Sequence, residues 1–240
     1  MHNIRFAGAA LAALVFAAPA SAQDAYRIAA VNSVTGPLGF AGISVKKGSD
    51  LAIEMHNGGK VNGRTIQIVW EDDETKPQLT AQKGAKLVAS NPDLMLGSVN
   101  TPSTLALMKI TEQRKIPHLI TLGGGDQITG ANKTAYAYRT TIRLDMESRT
   151  GAAYVRQMKF KKLYGVSFDY QVTRQRWDAF KQLVLSMTDT KIAGESFSPI
   201  ENMDFSLIIE NAVRSGADAL WIDLPGTVGT AFLKQAAQVN

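Results

Sequence analysis

Leu94–Thr121 has the sequence LMLGSVNTPSTLALMKITEQRKIPHLIT, and its pattern is the clearest indication of the fold class. Two short apolar runs, 94–97 and 118–121, predict strands. Between them, Thr101–Arg114 predicts a helix with Pro102 in its first turn. A helix that connects two short buried strands is the unit from which parallel sheets are built.

The same alternation continues on both sides of this unit and predicts an α/β protein. Further strands are predicted at 26–31, 65–70, 136–140, 162–168, 192–196 and 219–224, and further helices at 43–56, 77–89, 145–159, 171–187, 204–214 and 227–238. The pattern restarts near residue 140. It therefore predicts two doubly wound parallel-sheet lobes, 23–138 and 139–240, joined by a hinge through Tyr136–Thr140.

Helical periodicity also predicts which side chains face the core. In the helix predicted at 77–89, the residues expected inward are Ala81, Ala85 and Val88. In the helix predicted at 171–187 they are Trp177, Phe180, Val184 and Met187.

The first 22 residues predict a secretory signal peptide. A positively charged start precedes the apolar run Phe6–Ala18, and Ala20-Ser21-Ala22 provides the small residues of a cleavage site. The apolar run is too short to remain as a membrane span. We therefore expect export from the cytoplasm and a mature chain that begins at Gln23, with an uncleaved N-terminal anchor as the alternative.

Composition argues against several classes of function. The chain has a net charge of +5 that is scattered along its length, without the basic stripe and interleaved aromatics of a nucleic-acid-binding protein. It has no cysteine and three histidines, His2, His56 and His118, which leaves no zinc or thiol chemistry. We expect no metal site, no cofactor and no nucleic-acid partner.

Doubly wound sheets bind ligands at the carboxyl ends of their strands. This rule singles out the segments 32–42, 97–103, 121–126, 168–174 and 223–228. The first contains Phe40 but neither a dinucleotide nor a phosphate-loop motif. The second offers Thr101 as an N-cap and a helix N-terminus that suits a carboxylate. The third contains Gly123-Gly124-Gly125, where a backbone can approach a ligand closely or simply turn.

An ordered series of short motifs covers nearly all of the chain after residue 22. It comprises Thr35-Gly36-Pro37, Gly58–Arg64, Glu71-Asp72-Asp73, Gly97–Thr101, Ile116-Pro117, Tyr138-Arg139-Thr140, Asp178–Lys181, Asp204-Phe205-Ser206 and Phe232–Ala236. In this series the chain resembles the periplasmic substrate-binding proteins of ABC importers, of the branched-chain amino acid (Leu/Ile/Val) type.

The resemblance implies the type I periplasmic binding protein fold, in which two lobes close on a small molecule. It implies a monomer without catalytic activity that delivers an amino acid or related small carboxylate to an ABC transporter permease. Members of this family are longer than 240 residues, so the resemblance also implies that the second lobe is incomplete at Asn240.

The resemblance further implies a set of binding residues. Asn100 and Thr101 match the loop that holds the ligand carboxylate, and Gly123 and Gly124 match the second contact of lobe one. Phe40 and Tyr170 are the aromatic residues nearest to those of the family. The glycines replace a common threonine and Pro225 replaces a common tyrosine, which extends the candidates to aromatic acids and amides.

Two other readings of the residues remain open at this point. One is a ligand sensor on the same scaffold. The other is an exported α/β enzyme, for which no nucleophile–base pairing is evident in the predicted loops.

Overall fold

The computed structural model describes residues 25–56, 58–224 and 226–239. The predicted signal peptide and its cleavage site lie outside these residues.

Six strands form the first sheet, in the order β2-β3-β1-β4-β5-β6. All neighbours pair in parallel except β2 and β3, which form an antiparallel hairpin. The strands are β1 (Tyr26–Asn32), β2 (Lys60–Val61), β3 (Arg64–Asp72), β4 (Leu94–Leu96), β5 (His118–Ile120) and β6 (Ala137–Arg139). They alternate with the helices α1 (Gly39–Met55), α2 (Pro77–Val88) and α3 (Thr101–Arg114), and a single 3-10 turn follows at Asp126–Ile128.

Three strands form the second sheet, in the order β8-β7-β9, with both pairs parallel. They are β7 (Lys162–Phe168), β8 (Lys191–Ser198) and β9 (Ala219–Asp223). The helices are α4 (Leu144–Met158), α5 (Gln171–Met187), α6 (Ser206–Arg214) and α7 (Gly226–Ala236). The chain enters this part from β6, which pairs with β5 of the first sheet.

The second sheet is covered by helices on both faces, as the sequence predicts for a doubly wound fold. In the second sheet, Trp177 of α5 and Val155 of α4 belong to one buried cluster. Phe205 beside α6 and Phe232 of α7 belong to another, and their rings meet edge to face at 5.5 Å. The inward stripe predicted for α5 is confirmed, with Trp177, Phe180 and Val184 buried.

The inward face predicted for α2 is partly wrong. The helix buries Thr80, Gly84, Leu87 and Val88, while Ala85 is exposed. The reason is a close helix contact that needs a glycine, because a Cβ at Gly84 would lie 2.6 Å from Leu107 Cδ2 on α3. A prediction from apolar periodicity alone therefore placed the wrong small residue of this helix in the core.

Several element boundaries also differ from the prediction. Helix α1 begins at Gly39 rather than Ile43, and the β2–β3 hairpin was not predicted. Strand β9 is less buried than a continuous apolar run suggests, with Leu220 and Ile222 exposed by 41% and 37%. It lies at the edge of its sheet, where α6 and α7 cover mainly the central strand β7.

The strand order places a switch point in each sheet. From β1 the chain moves to β3 on one side and then crosses to β4 on the other, and from β7 it moves to β8 and then crosses to β9. The carboxyl ends of β1 and β4, and of β7 and β9, therefore border the crevices where such sheets bind ligands.

No helix within the described ranges has both the length and the apolar composition needed to cross a bilayer. The same ranges contain no group of three or more His, Cys, Asp or Glu side chains that could hold a metal ion.

His118 on β5 is fully buried, and its Nε2 lies 2.6 Å from the carbonyl oxygen of Gly97. A proton on Nε2 makes this contact a hydrogen bond and leaves Nδ1 without a partner among the described residues. Burial lowers the pKa of His118 to about 4, and the hydrogen bond to Gly97 opposes only part of that effect. The imidazole is thus a neutral, structural part of the first sheet at neutral pH.

We predict that His118 makes the protein less stable as the pH falls from about 6.5 to about 4. In this window the unfolded chain binds a proton at His118 and the folded chain does not, at a cost on the order of 3 kcal/mol. A His118→Gln variant, which keeps an N–H donor for Gly97, should show a shallower pH dependence in urea unfolding between pH 4 and 6.5. Equal slopes in wild type and variant would contradict the prediction, and His56→Gln at the exposed histidine is the matched control.

Candidate functional site

A buried carboxylate, Asp73, holds the strand ends of the first sheet together. It accepts hydrogen bonds from the hydroxyl groups of Ser33, Thr80 and Ser98 at 2.6, 2.8 and 3.1 Å, and from the backbone N–H of Thr75 at 3.0 Å. The Thr80 hydroxyl also lies 2.7 Å from Ser103 Oγ on α3. The loops after β1, β3 and β4 are therefore fixed to one another by a single group.

The neighbouring carboxylate, Asp72, fixes the loop after β1. It accepts from the backbone N–H groups of Val34, Thr35 and Glu74 and from the Thr35 hydroxyl, which lies at 2.6 Å. Burial raises the pKa of Asp72, but the hydrogen bonds from Thr35, Glu74 and Val34 outweigh it, and the net pKa is lowered. Asp72 and Asp73 thus organise the loops that border the crevice.

A cavity of about 600 Å³ lies where the carboxyl ends of the two sheets meet. Its walls include residues from all five segments that the strand-end rule singled out. Residues within 74–76 and 141–147, together with Arg176 and Ile200, complete the lining. Most of the lining is apolar, including Leu38, Val99, Leu122, Ile142, Leu144, Phe168, Val172 and Ile200. A larger volume, about 720 Å³, lies in an open groove along α6 and the end of α7, away from the strand ends.

Asn100 and Thr101 bring the N-terminus of α3 to this cavity. The N-cap is Asn100 rather than the predicted Thr101, because Asn100 is extended and its Oδ1 accepts from the Ser103 N–H at 2.9 Å. Thr101 Oγ1 instead accepts from the Gly125 N–H at 3.0 Å. Asn100 Nδ2 is buried and has no hydrogen-bond partner in the described part of the chain, so this wall offers an unused donor.

The three glycines of the loop after β5 pack against helices. A Cβ at Gly123 would lie 2.3 Å from Thr104 Oγ1, and a Cβ at Gly125 would lie 2.5 Å from Thr101 Cγ2. Gly124 lines the cavity and faces Leu144 of α4, whereas Gly123 does not line it. The lack of side chains at these glycines therefore mainly allows the loop to pack closely against α3 and α4.

The two predicted aromatic residues lie in different places. Tyr170 lines the cavity as the residue before α5, and burial raises its pKa. Phe40 is 45% exposed and lines a neighbouring cavity of about 350 Å³ that shares Pro37, Phe168 and Ile200 with the first. A Cβ at Gly226 would lie 3.6 Å from the Phe40 ring, so this ring spans from α1 to the start of α7.

Sequence reasoning missed a charged cluster in the second half of the cavity wall, formed by Glu147, Arg176 and Asp223. Arg176 Nη1 donates to both carboxylate oxygens of Asp223 at 2.9 Å, and Arg176 Nε lies 3.5 Å from Glu147 Oε2. Burial raises the pKa of Asp223, Glu147 adds to the rise, and Arg176 opposes it.

The rule that ligands bind at strand ends could have identified Asp223, because this residue ends β9. Glu147 and Arg176 lie inside helices, where no local pattern marks them as cavity residues.

A family model described as "Periplasmic binding protein" matches residues 25–240. The Leu/Ile/Val-binding protein homolog 3 of Brucella melitensis is 24% identical over 214 residues, which cover 88% of this chain and 57% of that protein. A leucine-, isoleucine-, valine-, threonine- and alanine-binding protein of Pseudomonas aeruginosa is 27% identical over 233 residues, covering 97% of this chain and 62% of that protein.

Among solved structures, the fold is similar to that of a solute-binding protein of an ABC transporter from Rhodopseudomonas palustris in complex with 3,4-dihydroxybenzoic acid. The TM-score is 0.81 at 24% sequence identity, over 90% of this chain and 59% of that one.

The chain belongs to the periplasmic binding protein family, as the match over residues 25–240 establishes. It spans 57% and 62% of the length of these two curated relatives.

We predict that Asp73→Asn destabilises the fold by about 3 kcal/mol. The substitution turns one acceptor oxygen into a donor that faces hydroxyl donors, and several buried hydrogen bonds to a charged group are weakened together. Urea unfolding followed by circular dichroism measures the loss. Asp189→Asn, an exposed aspartate of the second sheet's amino end, is the matched control, and equal stabilities of the two variants would contradict the prediction.

Proposed function

We propose that this protein is the solute-binding component of an ABC importer. It captures a small molecule in the cavity between its two lobes, in the periplasm, and delivers it to a membrane permease as a monomer. The observation that carries this proposal is the cavity itself, which is enclosed by the strand ends of both sheets and is lined mostly by apolar side chains.

The chemistry of the first lobe favours a carboxylate or a similar acidic group as one end of the ligand. Asn100 Nδ2 is an unused donor beside the N-terminus of α3, where the helix dipole favours negative charge. Thr101, Gly124 and Tyr170 complete this proposed site, whereas Phe40 lines the neighbouring cavity and Gly123 lines neither. The relatives suggest two ligand types, since one is named for binding leucine, isoleucine, valine, threonine and alanine, and another was solved with 3,4-dihydroxybenzoic acid.

A binding protein releases its ligand unchanged, which separates this proposal from an enzyme on the same scaffold. Of the described residues that line the cavity none is a histidine, and the chain has no cysteine. Recovery of an altered molecule after incubation would contradict the proposal.

The first test is a thermal melt of the purified protein against amino acids, aromatic acids, amides and sugars. A ligand at 100 times its dissociation constant stabilises the folded state by about 2.7 kcal/mol and raises the melting temperature. We expect a rise with members of one carboxylate class. A cooperative melt that no member of the panel moves would contradict the proposal.

We predict that Asn100→Asp weakens carboxylate binding about tenfold to a hundredfold while leaving the unliganded protein folded. Aspartate keeps the oxygen that caps Ser103 but replaces the free Nδ2 donor with an oxygen that repels an anion. Isothermal titration with the panel's best ligand gives the affinity. An unchanged affinity would rule out Asn100 as a ligand contact.

A further inference from the structure

The neighbouring cavity of about 350 Å³, which lies beside the proposed binding cavity, has walls from both lobes. The first lobe contributes Pro37, in the loop before α1, and Phe40, in the first turn of that helix. The second lobe contributes the end of β7, the loop after β8 and the first turn of α7. The space is therefore formed only where the two lobes face each other.

The second-lobe wall of the neighbouring cavity is apolar and well packed. Phe168, at the end of β7, is buried. Ile200 and Val228 pack against the buried cluster to which Phe168 belongs. Side chains that are held by a core in this way present a fixed apolar surface, which favours an apolar group over a polar one.

On the opposite side, Phe40 adds apolar surface that is not covered by the protein. Its side chain is 45% exposed. A Cβ at Gly226 would lie 3.6 Å from three atoms of the ring, Cδ1, Cδ2 and Cε1, so the ring turns a face toward the start of α7. Gly226 has a φ of +70°, a conformation that favours glycine, and it brings no side chain into this contact. A half-exposed ring beside a cavity is surface that a ligand can cover.

The neighbouring cavity adjoins the proposed binding cavity, because Pro37, Phe168 and Ile200 border both. The proposed anion site at Asn100 lies in the wall of the larger cavity. A ligand with its acidic group at Asn100 can therefore extend its other end past these three side chains and reach Phe40.

We propose that the neighbouring cavity is a subsite for the apolar tail of an elongated ligand, so that the protein prefers monocarboxylates with a long apolar or aryl tail over compact ones. This inference rests on the proposed binding function and adds the shape and length of the ligand. Contact of the tail with Phe40 and Val228 removes apolar surface from water. Glu201, an exposed carboxylate of the same lining, disfavours a second acidic group at this end.

Isothermal titration of two homologous series tests the proposal. One series is phenylacetate, 3-phenylpropanoate, 4-phenylbutanoate and 5-phenylpentanoate, and the other carries the same tails on an α-amino acid. In the series that wild-type protein binds, each added methylene should tighten binding about fourfold over at least two steps, since each buried methylene contributes a similar gain. The series that responds shows whether an α-amino group is required.

Two variants locate the length preference, which is the ratio of the dissociation constants of the shortest and the longest member. Val228→Phe places a ring in the neighbouring cavity and should reduce the ratio to less than about threefold. Phe40→Ala removes one wall at an exposed side chain and should reduce the ratio in the same direction. Tyr154→Ala, at a 55% exposed aromatic residue of α4 outside the lining of both cavities, is the matched control and should retain the wild-type ratio.

The possible failures are distinct. If wild type binds only compact members of the wider panel, or if its affinity does not rise with tail length, the inference is overturned and the binding function stands. If both variants keep the wild-type ratio, or weaken the shortest and longest members equally, the tail does not occupy the neighbouring cavity and the inference is again overturned. If wild type binds neither series and nothing in the wider panel, the proposed function fails together with this inference.

Discussion

The Asp73 carboxylate joins parts of the chain that are far apart in sequence, and the candidate site depends on it. Its donors come from the loop after β1, the loop after β3, the start of α2 and the loop after β4. These loops carry the first-lobe wall of the cavity, including Asn100 and Thr101. Since loops have little burial of their own to hold them, a shared buried acceptor is what keeps their polar groups in fixed positions.

A second set of contacts connects that wall to the start of the other sheet. Arg139 on β6 donates to the carbonyl oxygens of Gly124 and Gly125 at 2.9 and 2.6 Å. The Leu144 N–H at the start of α4 donates to Gly124 at 3.2 Å, and the Gly125 N–H donates to Thr101. The glycine loop is thus bonded both to the α3 N-terminus and to the first turn of α4.

The first turn of α4 also contains Glu147, which pairs with Arg176, and Arg176 in turn pairs with Asp223. The glycine loop therefore connects the wall at the α3 N-terminus to the first turn of the helix that carries Glu147.

Most of the fold was predictable because its signals are local. Apolar runs alternate with helical periodicity, and α3, α5 and β7 have the predicted bounds. The misses are contacts between elements. Gly84 faces α3 because two helices approach closely there, and β9 stays half exposed because it lies at a sheet edge. The N-cap of α3 is another such case. The Thr101 hydroxyl accepts from the distant Gly125 N–H, and Asn100 caps the helix instead.

The sequence by itself determined the α/β class, the restart of the pattern in a second sheet and the strand-end segments that border the cavity, because periodicity and strand order follow from local chemistry. Only the tertiary structure decided what those segments contribute. It placed Gly123 and Gly125 against α3 and made Asp72 and Asp73 the acceptors that hold the loops. It also brought together Glu147, Arg176 and Asp223 from two helices and a strand end. The contacts of Arg176 with Glu147 and Asp223 join residues 29 and 47 positions apart. Such contacts leave no pattern in a local window, since they arise when helices and strands pack together.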